Sequence, residues 1–177
     1  MTNNKFDFEA QLVDSSRYIV DLLANDVGND PEKYKAIIDL SFEEKVQVSR
    51  RAAKIIYVVA EKYPELAKPH IPLFLKKLKE IKNESILGSI LKMFAESVIP
   101  EKEEDLSKLL NICFEFISGR WEAAAIKVYC MDTLVRICEI EPDLINEVIS
   151  IIEDQAPKSS FAFQARSKRY LKKLRKK

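Results

Sequence analysis

The chain has 177 residues, 47% apolar and 32% charged, with a net charge of +1. That balance excludes a disordered polyelectrolyte and is enough for one compact domain with a sizeable core. Three glycines are too few for many hairpin turns or phosphate-cradling loops, no apolar run reaches membrane-spanning length, and residues 1–9 lack a signal-peptide core.

Apolar residues recur with helical period along the whole chain, and no stretch alternates as a strand does. A first helix is expected over residues 5–26, with Phe8, Leu12, Ser15, Ile19, Leu22 and Leu23 as its stripe. Gly28-Asn29-Asp30-Pro31 ends it and starts a short helix over 31–39, Asp30 serving as N-cap and Pro31 as the first helical residue. Ser41 followed by Glu44 has the spacing of a capping box and predicts the next start. Val48, Ala52, Ile55 and Val59 form one row behind it, and Ala53, Ile56, Ala60 and Tyr63 a second. Pro64 stops this helix. Pro69 and Pro72 then require the following one to kink or to begin near His70. Asn83 or Glu84 opens a fifth helix, with Ile86, Ile90, Phe94 and Ala95 inward. A sixth covers 102–117 and breaks at Ser118-Gly119. A seventh is expected over 121–140, an eighth over 143–153 and a ninth over 161–175.

Parts of this pattern repeat. Arg51-Ala52-Ala53 precedes the turn Tyr63-Pro64-Glu65-Leu66, and the next helix ends in Leu75-Lys76-Lys77-Leu78. Glu141-Pro142-Asp143-Leu144 reproduces the turn after a helix that aligns without gaps, Cys130 and Met131 replacing Ala52 and Ala53. A third turn stands at Ile99-Pro100-Glu101, after Gly88 and Ser89 near the small positions. The spacing between these prolines is near the roughly 40-residue period of helical-pair repeats. The unit resembles a HEAT repeat. The resemblance implies an all-α, right-handed α-α superhelix: one domain over 1–177, with helical pairs at about 5–40, 41–81, 83–118 and 120–154 and a capping helix at 158–177. It also implies a concave binding face lined by the second helix of each pair.

Charge is unevenly placed. No acidic residue follows Asp154, while nine basic ones do, so residues 1–154 carry −8. In the last helix Arg166, Arg169, Lys173 and Lys176 share a face, with Lys168, Lys172 and Arg175 beside it. That face suits nucleic acid, an acidic partner or an anionic membrane, or else the acidic body itself. A solvated cap is the plainest reading.

Little points to catalysis. His70 is the only histidine, so neither a histidine-based triad nor a histidine-rich metal site can be built in one chain. Glu103, Glu104 and Asp105 sit where carboxylates stabilise a helix start. Cys113, Cys130 and Cys138 fall on apolar faces and read as reduced core thiols of a cytoplasmic protein. Trp121 either packs under the preceding turn or anchors a partner. Alkylpurine DNA glycosylases among HEAT-like proteins use aromatic residues and a carboxylate in a basic cleft. One tryptophan and an acidic body depart from that pattern, so no catalytic residue is assigned.

The expected function is a non-enzymatic scaffold for a protein or peptide, without cofactor or metal. Lys76, Lys77, Glu104, Trp121, Arg166, Arg169 and Lys173 are the candidate contacts. Nucleic-acid binding by the last helix is the alternative, and a small carboxylate-based enzyme a third reading. A DNA-tracking groove should be basic throughout. The second helices are mixed, with Lys68, Lys76, Lys77 and Lys79 set against Glu101, Glu103, Glu104, Asp143, Glu147 and Glu153. Partner identity and oligomeric state leave no mark in the sequence.

Overall fold

The computed structural model describes residues 6–119 and 121–176. All regular structure in them is helical: α1 (Phe8–Gln11), α2 (Arg17–Val27), α3 (Pro31–Leu40), α4 (Val46–Lys62), α5 (Pro64–Ala67), α6 (Ile71–Glu80), α7 (Glu84–Glu96), α8 (Glu103–Ser118), α9 (Ala124–Ile140), α10 (Ile145–Gln155) and α11 (Phe161–Leu174). Single 3-10 turns at Lys68–His70, Pro142–Leu144 and Ala156–Lys158 join consecutive helices at their prolines.

The helices stack in two layers. In the first, α2 packs on α4, α4 on α7, α7 on α9 and α9 on α11. In the second, α6 packs on α8 and α8 on α10. The layers are tied by α3 against α4 and α8 against α9, so a second helix supports the first helix of the following pair. One continuous apolar core runs between them from Phe8 to Leu174. This is an all-α helical-repeat solenoid.

Several starts and stops follow directly from local chemistry. The Asp30 carboxylate accepts from the Glu32 and Lys33 amides at 2.9 and 3.1 Å, and Pro31 occupies the first helical position. Gly28 turns the chain there with φ +52°, a region that favours glycine. Asn83 caps α7 through the Ser85 and Ile86 amides. Pro64 ends α4, and α6 begins at Ile71, just past His70. His70 lies half-buried beside the rings of Tyr34 and Phe74, and burial lowers its pKa.

Three expectations are corrected. Residues 5–26 are not one helix within the described range. The Asp14 carboxylate accepts from the Ser16 amide at 2.7 Å, and the Ser16 hydroxyl then caps α2 at the Ile19 amide. The break re-phases the stripe: Val20, Leu23, Ala24 and Val27 are buried, whereas Leu22 is 50% exposed. Ser41 and Glu44 do not form a capping box. Ser41 is the buried C-cap of α3, its hydroxyl donating to the Ile38 carbonyl at 2.7 Å, and α4 starts five residues later at Val46. The helix expected from Trp121 starts at Ala124.

The core is specified at Tyr34, whose buried hydroxyl donates to the Ile56 carbonyl of α4 at 3.2 Å and touches the Met93 sulfur of α7. Burial pushes that phenol far above its usual pKa. Tyr34→Phe, which removes one hydrogen bond, is expected to cost about 1 kcal/mol. Phe94→Ala, which leaves a cavity under α7, is expected to cost about 3–5 kcal/mol. Urea unfolding measures both. Equal losses would contradict this ordering of the core.

Candidate functional site

Helix α7 is buried almost all the way round: Ile86, Leu87, Ile90, Leu91, Met93 and Phe94 are each 8% exposed or less. A helix sandwiched between neighbours needs that pattern. One stripe is left uncovered: Ser85, Gly88, Lys92 and Glu96, at i, i+3, i+7 and i+11. Its Ser85, Gly88 and Lys92 form the floor of a groove of about 430 Å³ that spans α4, α7 and α9 on the outer side of the first layer. Lys54 and Tyr57 of α4 form one wall, and Ala125 and Tyr129 of α9 the other.

Its small residues open the groove. A Cβ built on Gly88 meets nothing within 4 Å, so the helix backbone stands bare at the centre. The Ser89 hydroxyl folds back onto the Ser85 carbonyl at 2.9 Å. Lys92 places its ammonium 4.4 Å from the centre of the Tyr57 ring and 3.6 Å from Glu96. Burial raises the Tyr129 pKa, and Lys92 partly offsets it. At one end the Glu84 carboxylate accepts from the Glu122 and Ala123 amides at 2.9 and 2.8 Å, capping the start of α9.

One helical turn beyond Tyr129, Asp132 is 6% exposed. Its Oδ2 forms an ion pair with Arg166 of α11, 2.8 Å from Nη1. The Tyr170 hydroxyl and Arg169 stand close enough to favour the carboxylate, yet Oδ1 has no hydrogen-bond partner among the described residues. Burial outweighs these neighbours and raises the Asp132 pKa. Arg166 and Arg169 also line a depression of about 350 Å³ over Val128, Ala162 and Ala165 in the α9–α11 furrow. First-layer features thus extend from α4 to α11.

The sequence-predicted contacts fall into separate places. Lys76 is exposed on α6 without an ion pair among the described residues. Lys77 bonds Glu80 at 2.8 Å and lies 5.7 Å from the Phe42 ring centre. Glu104 holds Lys108 at 2.6 Å at the start of α8. The second helices therefore carry local ion pairs. Lys68 joins Glu101 at 2.7 Å beside a smaller depression between the starts of α6 and α8. Trp121 donates its Nε1–H to the Phe116 carbonyl at 2.8 Å and packs edge-on against the Phe116 ring, plugging the end of α8. Lys173 bonds Glu139 at 2.7 Å, and Arg175 bonds Glu153. Much of the basic face of α11 thus neutralises acids of α9 and α10. Lys168, Lys172 and Lys176 remain exposed without ion pairs among the described residues.

Sequence reasoning missed Tyr57, Gly88, Lys92, Tyr129 and Asp132. A signal was present: Ser85, Gly88, Lys92 and Glu96 interrupt an otherwise apolar helix at one helical spacing. Among the described residues no three His, Cys, Asp or Glu side chains converge as metal ligands would. Glu84, Glu96 and Asp132, the carboxylates around the groove, are held by the Glu122 and Ala123 amides, Lys92 and Arg166 respectively. No described helix is long and apolar enough to cross a membrane.

Two measurements test this geometry. Gly88→Ala is expected to raise stability by about 0.5–1 kcal/mol, because the methyl has open space and the helix loses a flexible residue. A destabilised variant would mean that the groove is closed. For Asp132, a carboxyl with a raised native pKa contributes stability that is present at low pH and lost as pH rises through that pKa. Lowering the pH from about 7 to about 4.5 should therefore stabilise the wild type relative to Asp132→Asn, read from urea midpoints. The opposite trend would contradict the buried placement.

Comparison with curated proteins and with solved structures gives no match. The model of the HEAT repeat domain matches residues 9–174. Repeats of this kind generally build scaffolds for protein interactions. With that match over nearly its whole length, and with helices layered as described, the chain belongs to the HEAT repeat domain family.

Proposed function

We propose that the chain is a non-enzymatic scaffold, its helical pairs and α11 forming one repeat domain, that binds a protein or peptide segment in the groove over α7. The observation that carries this reading is the bare backbone at Gly88 between the two tyrosine walls. Tyrosines supply large, stiff contact area, and uncovered small residues let a partner's backbone approach closely. The charge around the groove favours a polypeptide over nucleic acid. Lys92 stands with Glu96, Arg166 with Asp132, and Glu84 shares the groove lining with Lys54, leaving no continuous basic track. This places recognition on the first helices of the pairs, whereas the family resemblance had implied the second.

Selection of random displayed peptides on the folded protein, followed by fluorescence anisotropy, tests this reading. Gly88→Trp fills the groove without touching the core and is expected to weaken selected peptides about 100-fold, whereas the double change Lys76→Ala and Lys77→Ala leaves them within about threefold. Peptides indifferent to Gly88→Trp would overturn the assignment. So would tight single-stranded oligonucleotide binding that falls linearly in log salt and is lost when Lys168, Lys172 and Lys176 are neutralised. That result would establish the nucleic-acid alternative.

A further inference from the structure

The outermost helices of the first layer leave two unlike faces uncovered. Each has one neighbour in that layer among the described residues, α4 for α2 and α9 for α11. On α2 the outer line is Tyr18, Leu22 and Asn25, with Tyr18 73% and Leu22 50% exposed. A helix at the edge of a repeat stack needs a polar outer side, yet this line carries no charge. Its flanks are acidic: over residues 13–27, Asp14, Asp21 and Asp26 stand against one cation, Arg17. Arg17 holds Asp21 at 2.8 Å and Lys33 holds Asp26 at 2.9 Å, in surface pairs that contribute little. On α11 the outer line begins with Phe161, 85% exposed, and the small residues Ala162 and Ala165. It continues with Lys168, Arg169 and Lys172. Both faces are thus apolar at the centre, and their charges are opposite.

Lateral contacts within the layer keep chain order. Lys54 and Lys62 of α4 reach Ser15 and Asn25. Glu84 and Phe94 of α7 meet Ala123 and Arg136, at the start and end of α9. Asp132 and Glu139 of α9 meet Arg166 and Lys173 of α11. Neighbours at these three joints therefore run parallel, start beside start. The same step taken once more from α11 sets Phe161 and Ala165 against a further Tyr18 and Leu22, with Lys168 and Lys172 beside Asp21 and Asp26.

We propose that the chain associates head to tail with a second copy of itself, the outer face of α11 docking on the outer face of α2. Charge fixes the choice of faces, because two α2 faces or two α11 faces would set like charges together. Small residues at the centre of the α11 face let the helices approach closely. The two faces differ, so the contact is heterologous and runs on beyond a dimer. One helix face per copy gives a weak interface, under about 1,200 Å². The proposal is independent of the peptide reading, because no residue of α2 or α11 lines the groove over α7.

The test is sedimentation equilibrium of the full chain from about 10 µM to about 1 mM, the range of weak association. The average mass is expected to rise with concentration and to pass that of a dimer. Two double variants each spoil one face: Tyr18→Ala with Leu22→Ala, and Lys168→Glu with Lys172→Glu. All four side chains are exposed, and thermal unfolding confirms that each variant is folded. Each variant alone should associate about tenfold more weakly or less, whereas Gly88→Trp should behave as the wild type. Mixed in equal amounts, the two variants retain one intact pair of faces and should form a dimer and nothing larger. A wild type that stays monomeric throughout, or a mixture that fails to dimerise, would overturn the proposal. So would self-association of the Lys168→Glu, Lys172→Glu variant at wild-type strength, which would mean that α2 faces pair with each other.

Discussion

The structure depends on α7 being held on both sides. It packs against α4 and α9, and the second layer closes beneath it. A helix so enclosed must be apolar nearly all round, which leaves one stripe on which polar or small residues are tolerated. That stripe is also the only part of α7 from which this central helix can meet a partner. Gly88 lies on that stripe, so the packing of α7 is also what leaves the groove of the proposed function open.

The same stack explains the charge asymmetry. A terminal helix needs a polar outer side for solubility, and α11 has one in Lys168 and Lys172, with Lys176 just past its end. Its inner edge meets α9 and α10, where Asp132, Glu139 and Glu153 await Arg166, Lys173 and Arg175. The exposed pairs each contribute little. Arg166 differs, because removing it strands a buried carboxylate, a loss that costs several times more than an exposed pair provides. The basic tail and acidic body are therefore partly one interface.

Much of the fold was legible because its signals are local. Asp30-Pro31, Pro64 and Gly119 act within a few residues, and each ends or starts a helix as expected. Tyr34, Ile37 and Ile38 of the short helix expected over 31–39 are buried, at helical spacing. Ser41 misled because a serine hydroxyl can accept from a following amide or donate to a preceding carbonyl, and the burial of α3 selects the second. The α1–α2 break misled because a continuous stripe hides a local Asp14–Ser16 turn. The candidate site was less visible. Tyr57, Gly88 and Tyr129 lie on three helices, and the Asp132–Arg166 pair joins residues 34 positions apart, a separation with no periodic signature.

With α7 enclosed on both sides, α7 and its flanking helices should be the most stable part of the stack, with the groove as its exposed seam. Native-state hydrogen exchange tests it most directly. The amides of Leu87, Leu91 and Met131 are expected to exchange only through global unfolding, while those of α1 and the last turn of α11 open at lower free energy. Exchange of α7 by local opening, at a free energy well below the global value, would contradict it.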